Sequence, residues 1–160
     1  MVQKILIFKI FIIFIFININ NLNAKTIIGK SRIIDGDTIY INTNKIRLHG
    51  IDAPERKQKC TYEENEWDCG KQSVIELKKL IKDQAIRCIT TDIDIYNRYV
   101  ANCFINEVNI NQLMVRLGWA LAYRYYSLDY IQEEKYARKN KLGIWKGEFE
   151  EPYLFRKRNK

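Results

Sequence analysis

Four acids fall in two short turns. Asp35 and Asp37 stand in Asp35-Gly36-Asp37-Thr38, and Asp52 and Glu55 in Asp52-Ala53-Pro54-Glu55. Both turns flank Ile-rich runs short enough to form a hairpin, so folding can draw their carboxylates together. With no histidine or cysteine beside them, these acids would make an oxygen-only site. That chemistry selects Ca²⁺ or Mg²⁺ over transition metals. Ordinary acidic turns are the rival reading, because Asp and Gly favour tight turns for backbone reasons alone.

Arg47 lies between the two turns, and Arg98 stands further along the chain. A guanidinium grips a phosphate through two parallel hydrogen bonds and keeps its proton. Phosphodiester hydrolysis needs a cation on the phosphoryl oxygens, a group that positions water, and fixed charge for the transition state. A two-carboxylate metal site, a spare glutamate and two arginines supply all three. Taken singly, each arginine reads as a surface ion pair.

Strands must position these groups. The pattern predicts strands over 26–34, 38–41 and 45–51, rich in Ile and Thr and separated by turns at 35–37 and 42–44. In the third, Ile46 and Leu48 face one way and Arg47 and His49 the other, since strand side chains alternate. A charged loop over 52–69 follows. A helix over 70–82 buries Val74, Leu77 and Ile81. Two more strands, 85–91 and 98–105, flank a polar turn. Asn109 caps a further helix with Gln112 as its reciprocal partner, and Gly118 stops it. Asp129 with Gln132 opens a last helix that Gly143 ends. The Arg156–Lys160 run is expected to fray. These elements make an α+β protein: a five-stranded OB-fold β-barrel with about three helices.

The chain has 160 residues, 47% hydrophobic and 29% charged, enough for a single domain with a real core. Its formal charge of +8 favours a polyanionic partner: nucleic acid, anionic lipid or an acidic protein. Residues 1–24 read as a secretory signal peptide, with basic Lys4 and Lys9, an apolar run over 10–17 and Ala24 before the cut. An uncleaved membrane anchor is the alternative, although the run is shorter than the roughly 20 residues a spanning helix needs. Secretion or a periplasmic location is therefore expected. Cys60, Cys69, Cys88 and Cys103 then form two disulfides, with three connectivities open. Local pairing, Cys60–Cys69 and Cys88–Cys103, is preferred. Zinc is disfavoured, for no C-x-x-C is present and the single histidine, His49, is not near a cysteine pair.

Four runs together resemble the staphylococcal (micrococcal) nuclease family: Ile34-Asp35-Gly36-Asp37-Thr38, the stretch Arg47-Leu48-His49-Gly50-Ile51-Asp52-Ala53-Pro54-Glu55, Tyr96-Asn97-Arg98-Tyr99, and Lys141-Leu142-Gly143-Ile144-Trp145. Their order and the long second run make the resemblance specific. It implies a nuclease-like OB-fold domain over 25–146 and a basic tail over 147–160. It also implies a Ca²⁺-dependent nuclease acting on DNA and/or RNA and leaving 3′-phosphate ends. By this resemblance Asp37 and Asp52 are the Ca²⁺ carboxylates, joined by the backbone carbonyl of Ala53. Asp35 orients the site without holding the ion. Glu55 activates water, and Arg47 and Arg98 stabilise charge on the phosphate. Tyr96, Tyr123 and Tyr125 flank the nucleotide. Some relatives carry threonine in place of Ala53, so a hydroxyl contact is lost here. Ile95 replaces a family lysine, removing one terminal-phosphate contact.

His49 reads as a structural or surface histidine, and Trp119 and Trp145 as anchors for the terminal helices. No stable protein partner is implied and a monomer is expected. The competing reading is a non-catalytic OB-fold module that binds nucleic acid or protein. The presence of Asp37, Asp52, Glu55, Arg47 and Arg98 together argues against it.

Overall fold

The computed structural model describes residues 24–159. The signal peptide expected over 1–24 lies, but for Ala24, outside these residues. The chain opens with an antiparallel meander, β1 (Thr26–Ile33), β2 (Thr38–Ile41) and β3 (Asn44–Leu48), and a short β4 (Ile51–Asp52) follows. A hairpin, β5 (Cys60–Tyr62) and β6 (Asn65–Trp67), leads into helix α1 (Cys69–Ile81). Then come β7 (Ala85–Ile93), β8 (Tyr99–Ile105), β9 (Val108–Asn109) and α2 (Ile110–Arg116). The chain ends with β10 (Leu121–Ala122), α3 (Ile131–Lys139), a 3₁₀ turn (Gly143–Lys146) and α4 (Pro152–Arg158).

The sheet runs β3-β2-β1-β7-β8-β9, and a parallel pairing of β3 with β8 closes its first five strands into a barrel. Closure removes the exposed sheet edge, and the fold is the expected α+β OB barrel, with four α-helices among the described residues where about three were expected. Alternation sets the inside. Ile39, Ile41, Ile46, Leu48, Ile86, Cys88, Ala101 and Cys103 are buried between the strands. Leu77 and Ile81 of α1 and Met114 and Val115 of α2 cap this core. Each fully buried aliphatic side chain contributes about 1.5–3 kcal/mol. Cys88 and Cys103 stand opposite each other on β7 and β8 and are bonded, and Cys60 is bonded to Cys69. The local pairing is therefore the one adopted.

Several elements depart from the sequence expectation. The strand expected over 45–51 breaks into β3 and β4 at Gly50, whose φ of 70° only glycine adopts at little cost. The supposed loop over 52–69 contains the β5–β6 hairpin. Its turn uses Glu63 and Glu64 at positive φ instead of the usual Asn-Gly pair, so the sequence carries no hairpin signal there. Asn109 Oδ1 does accept from the Gln112 N–H at 3.1 Å, but the Gln112 side chain bonds Glu133 instead of returning to the cap. Asp129 does not cap α3. The helix starts after Tyr130 without a side-chain cap, and the Asp129 carboxylate lies 3.4 Å from His49 Nε2. The basic run expected to fray is largely helical, forming the end of α4. Among the described residues, no helix is long and apolar enough to cross a membrane.

Candidate active site

The register of β2 against β3 builds one side of the site. Thr38 pairs with Arg47, so the Arg47 side chain leaves the barrel beside Asp37. The Leu48 N–H donates to the Asp37 carbonyl at 2.8 Å and fixes the turn to the strand. The Asp37 carboxylate is oriented at both oxygens. Oδ2 accepts from the Ala53 N–H at 2.9 Å and Oδ1 from the Thr38 hydroxyl at 3.0 Å. Asp35 Oδ1 accepts from the Asp37 N–H at 3.1 Å, closing the turn on itself. The two acidic turns are also packed together directly. A Cβ on Gly36 would sit 2.6 Å from the Ala53 Cβ and strike Ser73 of α1, so only glycine fits there.

Asp52 ends β4, which pairs with β10 through Leu121. Buried Glu134 of α3 braces β10, accepting the Ala122 N–H at 3.1 Å and pairing with Arg124. This support holds Asp52 against Arg47. Arg47 Nη2 donates to Asp52 Oδ1 at 3.1 Å while Nη1 pairs with Asp37 Oδ2. Asp37 and Asp52 are only 6% and 3% exposed, so one guanidinium joins two buried carboxylates. Burial pushes the Arg47 pKa down from its ordinary value, with Asp52 opposing that shift. Burial pushes the Asp35 carboxyl up, against the pull of Arg47.

Glu55 follows Pro54 on the same turn. Its backbone N–H donates to the Gln58 side-chain oxygen at 3.2 Å, and its carbonyl accepts the Gln58 N–H at 2.7 Å. Gln58 is fully buried and also receives the Gly70 N–H on its carbonyl, tying the Glu55 turn to the start of α1. Arg98 approaches from the β7–β8 turn. Asp94 organises that turn by accepting the backbone N–H groups of Tyr96 and Arg98 at 2.9 and 3.0 Å. Asp94 also holds Arg98 Nε at 2.7 Å, and Arg98 Nη1 lies 3.4 Å from the Thr38 hydroxyl. Thr38 thus links Arg98 to Asp37.

The expected acids and arginines therefore converge: Asp35, Asp37, Arg47, Asp52, Glu55 and Arg98 occupy one flank of the barrel. The tyrosines are divided. Tyr123 stands beside Asp52, where burial and that carboxylate raise its hydroxyl pKa. Tyr96 is 65% exposed, with the Arg98 guanidinium 5.4 Å from its ring centroid. Tyr125 is 82% exposed and packs edge-on against Tyr126. Asp52, Tyr123, Tyr125, Arg124, Arg138 and Tyr153 border a cleft of about 220 Å³. His49 takes no part.

Four residues that sequence reasoning missed complete the arrangement: Gln58, Asp94, Glu134 and Arg156. The last comes from α4. Arg156 Nη1 and Nη2 bond Asp52 Oδ1 and Oδ2 at 2.8 and 3.1 Å, and Nη1 also bonds Glu55 Oε1 at 2.9 Å. Burial weakens the Arg156 charge, but the bonds to Asp52 and Glu55 outweigh it and raise the pKa. Nothing in the sequence separates Arg156 from the exposed cations around it.

Two carboxylates that converge on one shared cation, with oxygen as the only donor, fit a hard divalent ion. Among the described residues no three Asp, Glu, His or Cys side chains are grouped to cage an ion. Carbonyl oxygen and water would therefore complete its shell.

A closed OB-type barrel with acids and arginines gathered on one flank defines a small barrel protein suited to phosphate chemistry. The sequence model described as "Staphylococcal nuclease homologue" matches residues 45–147, and the chain belongs to that family. An uncharacterized endonuclease of Haemophilus influenzae is 31% identical over 150 residues, covering 89% of this chain and 79% of its own. A micrococcal nuclease of Shigella flexneri is 31% identical over 147 residues, covering 81% and 79%. A succinoglycan biosynthesis protein, ExoI, of Rhizobium meliloti is 32% identical over 129 residues, covering 78% and 68%.

Proposed function

We propose that this member of the nuclease family is a Ca²⁺-dependent phosphodiesterase acting outside the cytoplasm. It hydrolyses DNA and/or RNA with little sequence preference, breaks the bond on the 5′-oxygen side and leaves 3′-phosphate ends. The carrying observation is the convergence of Asp37 and Asp52 on the Arg47 guanidinium, with Glu55 on the turn of Asp52 and Arg98 linked to Asp37 through Thr38.

The roles follow from chemistry and position. Asp37, Asp52 and the Ala53 carbonyl hold the ion, and Asp35 keeps the Asp37 turn in shape. Bound Ca²⁺ supplies positive charge to the phosphoryl oxygens and orients water. Glu55 accepts the proton of the attacking water as the water oxygen bonds to phosphorus, and the 5′ oxygen departs with the bonding pair and takes a proton from solvent. Arg47 and Arg98 neutralise the charge that grows on the non-bridging oxygens. Tyr123 offers a hydroxyl next to Asp52, and Tyr96 and Tyr125 present exposed rings on which bases stack. Stacking and phosphate charge are tolerant of sequence.

Two disulfides suit an oxidising compartment and support secretion or a periplasmic site. The test is cleavage of single-stranded DNA and of RNA with Ca²⁺, with Mg²⁺ and with excess EDTA in parallel. Cutting should require Ca²⁺ and stop in EDTA. Undiminished cutting in EDTA removes the ion from this reading.

A further inference from the structure

Arg156 lies beyond residues 45–147, the span that the family's sequence model matches. The contacts that dock its helix do not involve its side chain. The Glu150 carbonyl accepts from Gln58 Nε2 at 2.6 Å. Thr61 and Glu148 exchange two backbone hydrogen bonds at 2.8 Å. Trp145 and Phe149 pack edge-to-face at 5.0 Å, and Pro152 at the start of α4 is buried. Arg156 is one helical turn past Pro152. Its backbone therefore stays beside the site whichever anion its guanidinium holds.

In the structure that guanidinium occupies both oxygens of Asp52 and one of Glu55. Arg47 already donates to Asp52 Oδ1 as well. An ion on Asp52 competes for the same lone pairs and repels the guanidinium at contact distance. A water-activating Glu55 likewise needs its oxygens free. The Arg156 side chain is about one-third exposed, so it has room to leave. A phosphate is the other anion whose geometry fits its planar fork. Arg47, to which the proposed reaction also gives a substrate phosphate, likewise holds carboxylates in the structure.

Resting on the roles assigned above to Asp52 and Glu55, we propose that Arg156 is a third arginine of the site. It covers Asp52 and Glu55 before the metal binds, and it turns to a substrate phosphate when the metal enters. Arg156 then has two opposed effects: it weakens metal binding to the free protein and strengthens nucleic-acid binding to the loaded protein.

The full chain, Arg156→Gln, Arg156→Lys and the control Arg158→Gln are compared. Arg158, exposed at the far end of α4, pairs with half-buried Glu150 in the segment before the helix. Calorimetric titration with Ca²⁺, without nucleic acid, should show Arg156→Gln binding about tenfold tighter, which is about 1.4 kcal/mol. At saturating Ca²⁺ the same variant should raise KM for single-stranded DNA about tenfold, with a smaller change in kcat. Arg156→Lys should fall between, and Arg158→Gln should match the parent in both measurements. Ca²⁺ affinity unchanged or weakened in Arg156→Gln overturns the proposal, and so does an unchanged KM. If neither parent nor variant binds Ca²⁺, the metal reading itself fails and takes this one with it. Equal, measurable binding in both sinks only the role of Arg156.

Discussion

The Arg47 guanidinium bridges Asp37 and Asp52, bonding Asp52 Oδ1 at 3.1 Å, with both carboxylates withdrawn from solvent. Those two acids come from turns 15 positions apart, and Arg47 is a cation that touches both. Replacing it with glutamine takes the guanidinium from Asp37 and leaves Asp52 with Arg156. Urea unfolding of Arg47→Gln in EDTA should show a loss of about 3 kcal/mol, the scale for breaking a buried ion pair. Ca²⁺ should restore much of that loss, because a divalent ion supplies the missing charge. An equal loss with and without Ca²⁺ would mean that these carboxylates do not share a cation site.

Glu55→Gln keeps the size of the side chain and its backbone bonds to Gln58 but removes the proton acceptor. The kcat should fall at least about 10²-fold, as the loss of a general base does. Ca²⁺ affinity should change far less. Single-turnover rates on DNA check the first statement and calorimetry the second. A kcat near that of the parent would take Glu55 out of the reaction.

Asp94 gives a pH signature separate from the metal site. Burial opposes its ionisation, yet its bonds from the Arg98 and Tyr96 backbone and from the Arg98 side chain outweigh this and lower its pKa. A depressed carboxylate adds stability above its unfolded pKa of about 3.9, and that stability is lost as pH falls through the folded value. Asp94→Asn should be about 1 kcal/mol less stable at pH 7, and the gap should close below about pH 4. Thermal unfolding between pH 3 and pH 7 reads it directly. A gap that does not depend on pH would assign the effect to packing instead of charge.

The two disulfides should separate stability from catalysis. Cys88–Cys103 staples two barrel strands across 15 positions, and its removal by paired alanines should cost about 3 kcal/mol with little change in kcat. Cys60–Cys69 spans 9 positions and ties the β5–β6 hairpin to the start of α1, where the Gly70 N–H bonds the carbonyl of Gln58, the residue that holds the Glu55 N–H. Its removal should lower kcat clearly more than the other pair does. Equal kinetic losses for the two pairs would argue against Gln58 as the prop for Glu55.

Local pattern carried the barrel. The alternation in Ile39-Tyr40-Ile41 and Ile46-Arg47-Leu48 fixes which side chains enter the core, so one turn chemistry and one period suffice to place β2 and β3. The same period sends Arg47 outward beside the Asp35–Asp37 turn. The face of α1 and the Asn109 cap are also local, each settled within about a turn of helix. Other elements carry no local signal, or a misleading one. Glu63-Glu64 carries no hairpin signature, and Asp129 looked like a cap but is drawn to His49.

The order of the acids, the arginines and the barrel strands was written in the chain, because side-chain types and a period of two act over a few residues. What only tertiary structure decided is the company those residues keep. Glu134 steadies Asp52 through β10, Gln58 joins Glu55 to the segment before α4, and Arg156 reaches Asp52 across more than 100 positions. Each of these contacts pairs a charge or a polar group with a partner that no spacing rule connects to it. In the sequence Arg156 is one cation in a basic run. Only the docking of α4 singles it out, because burial against two carboxylates is a property of the folded surface and not of the run.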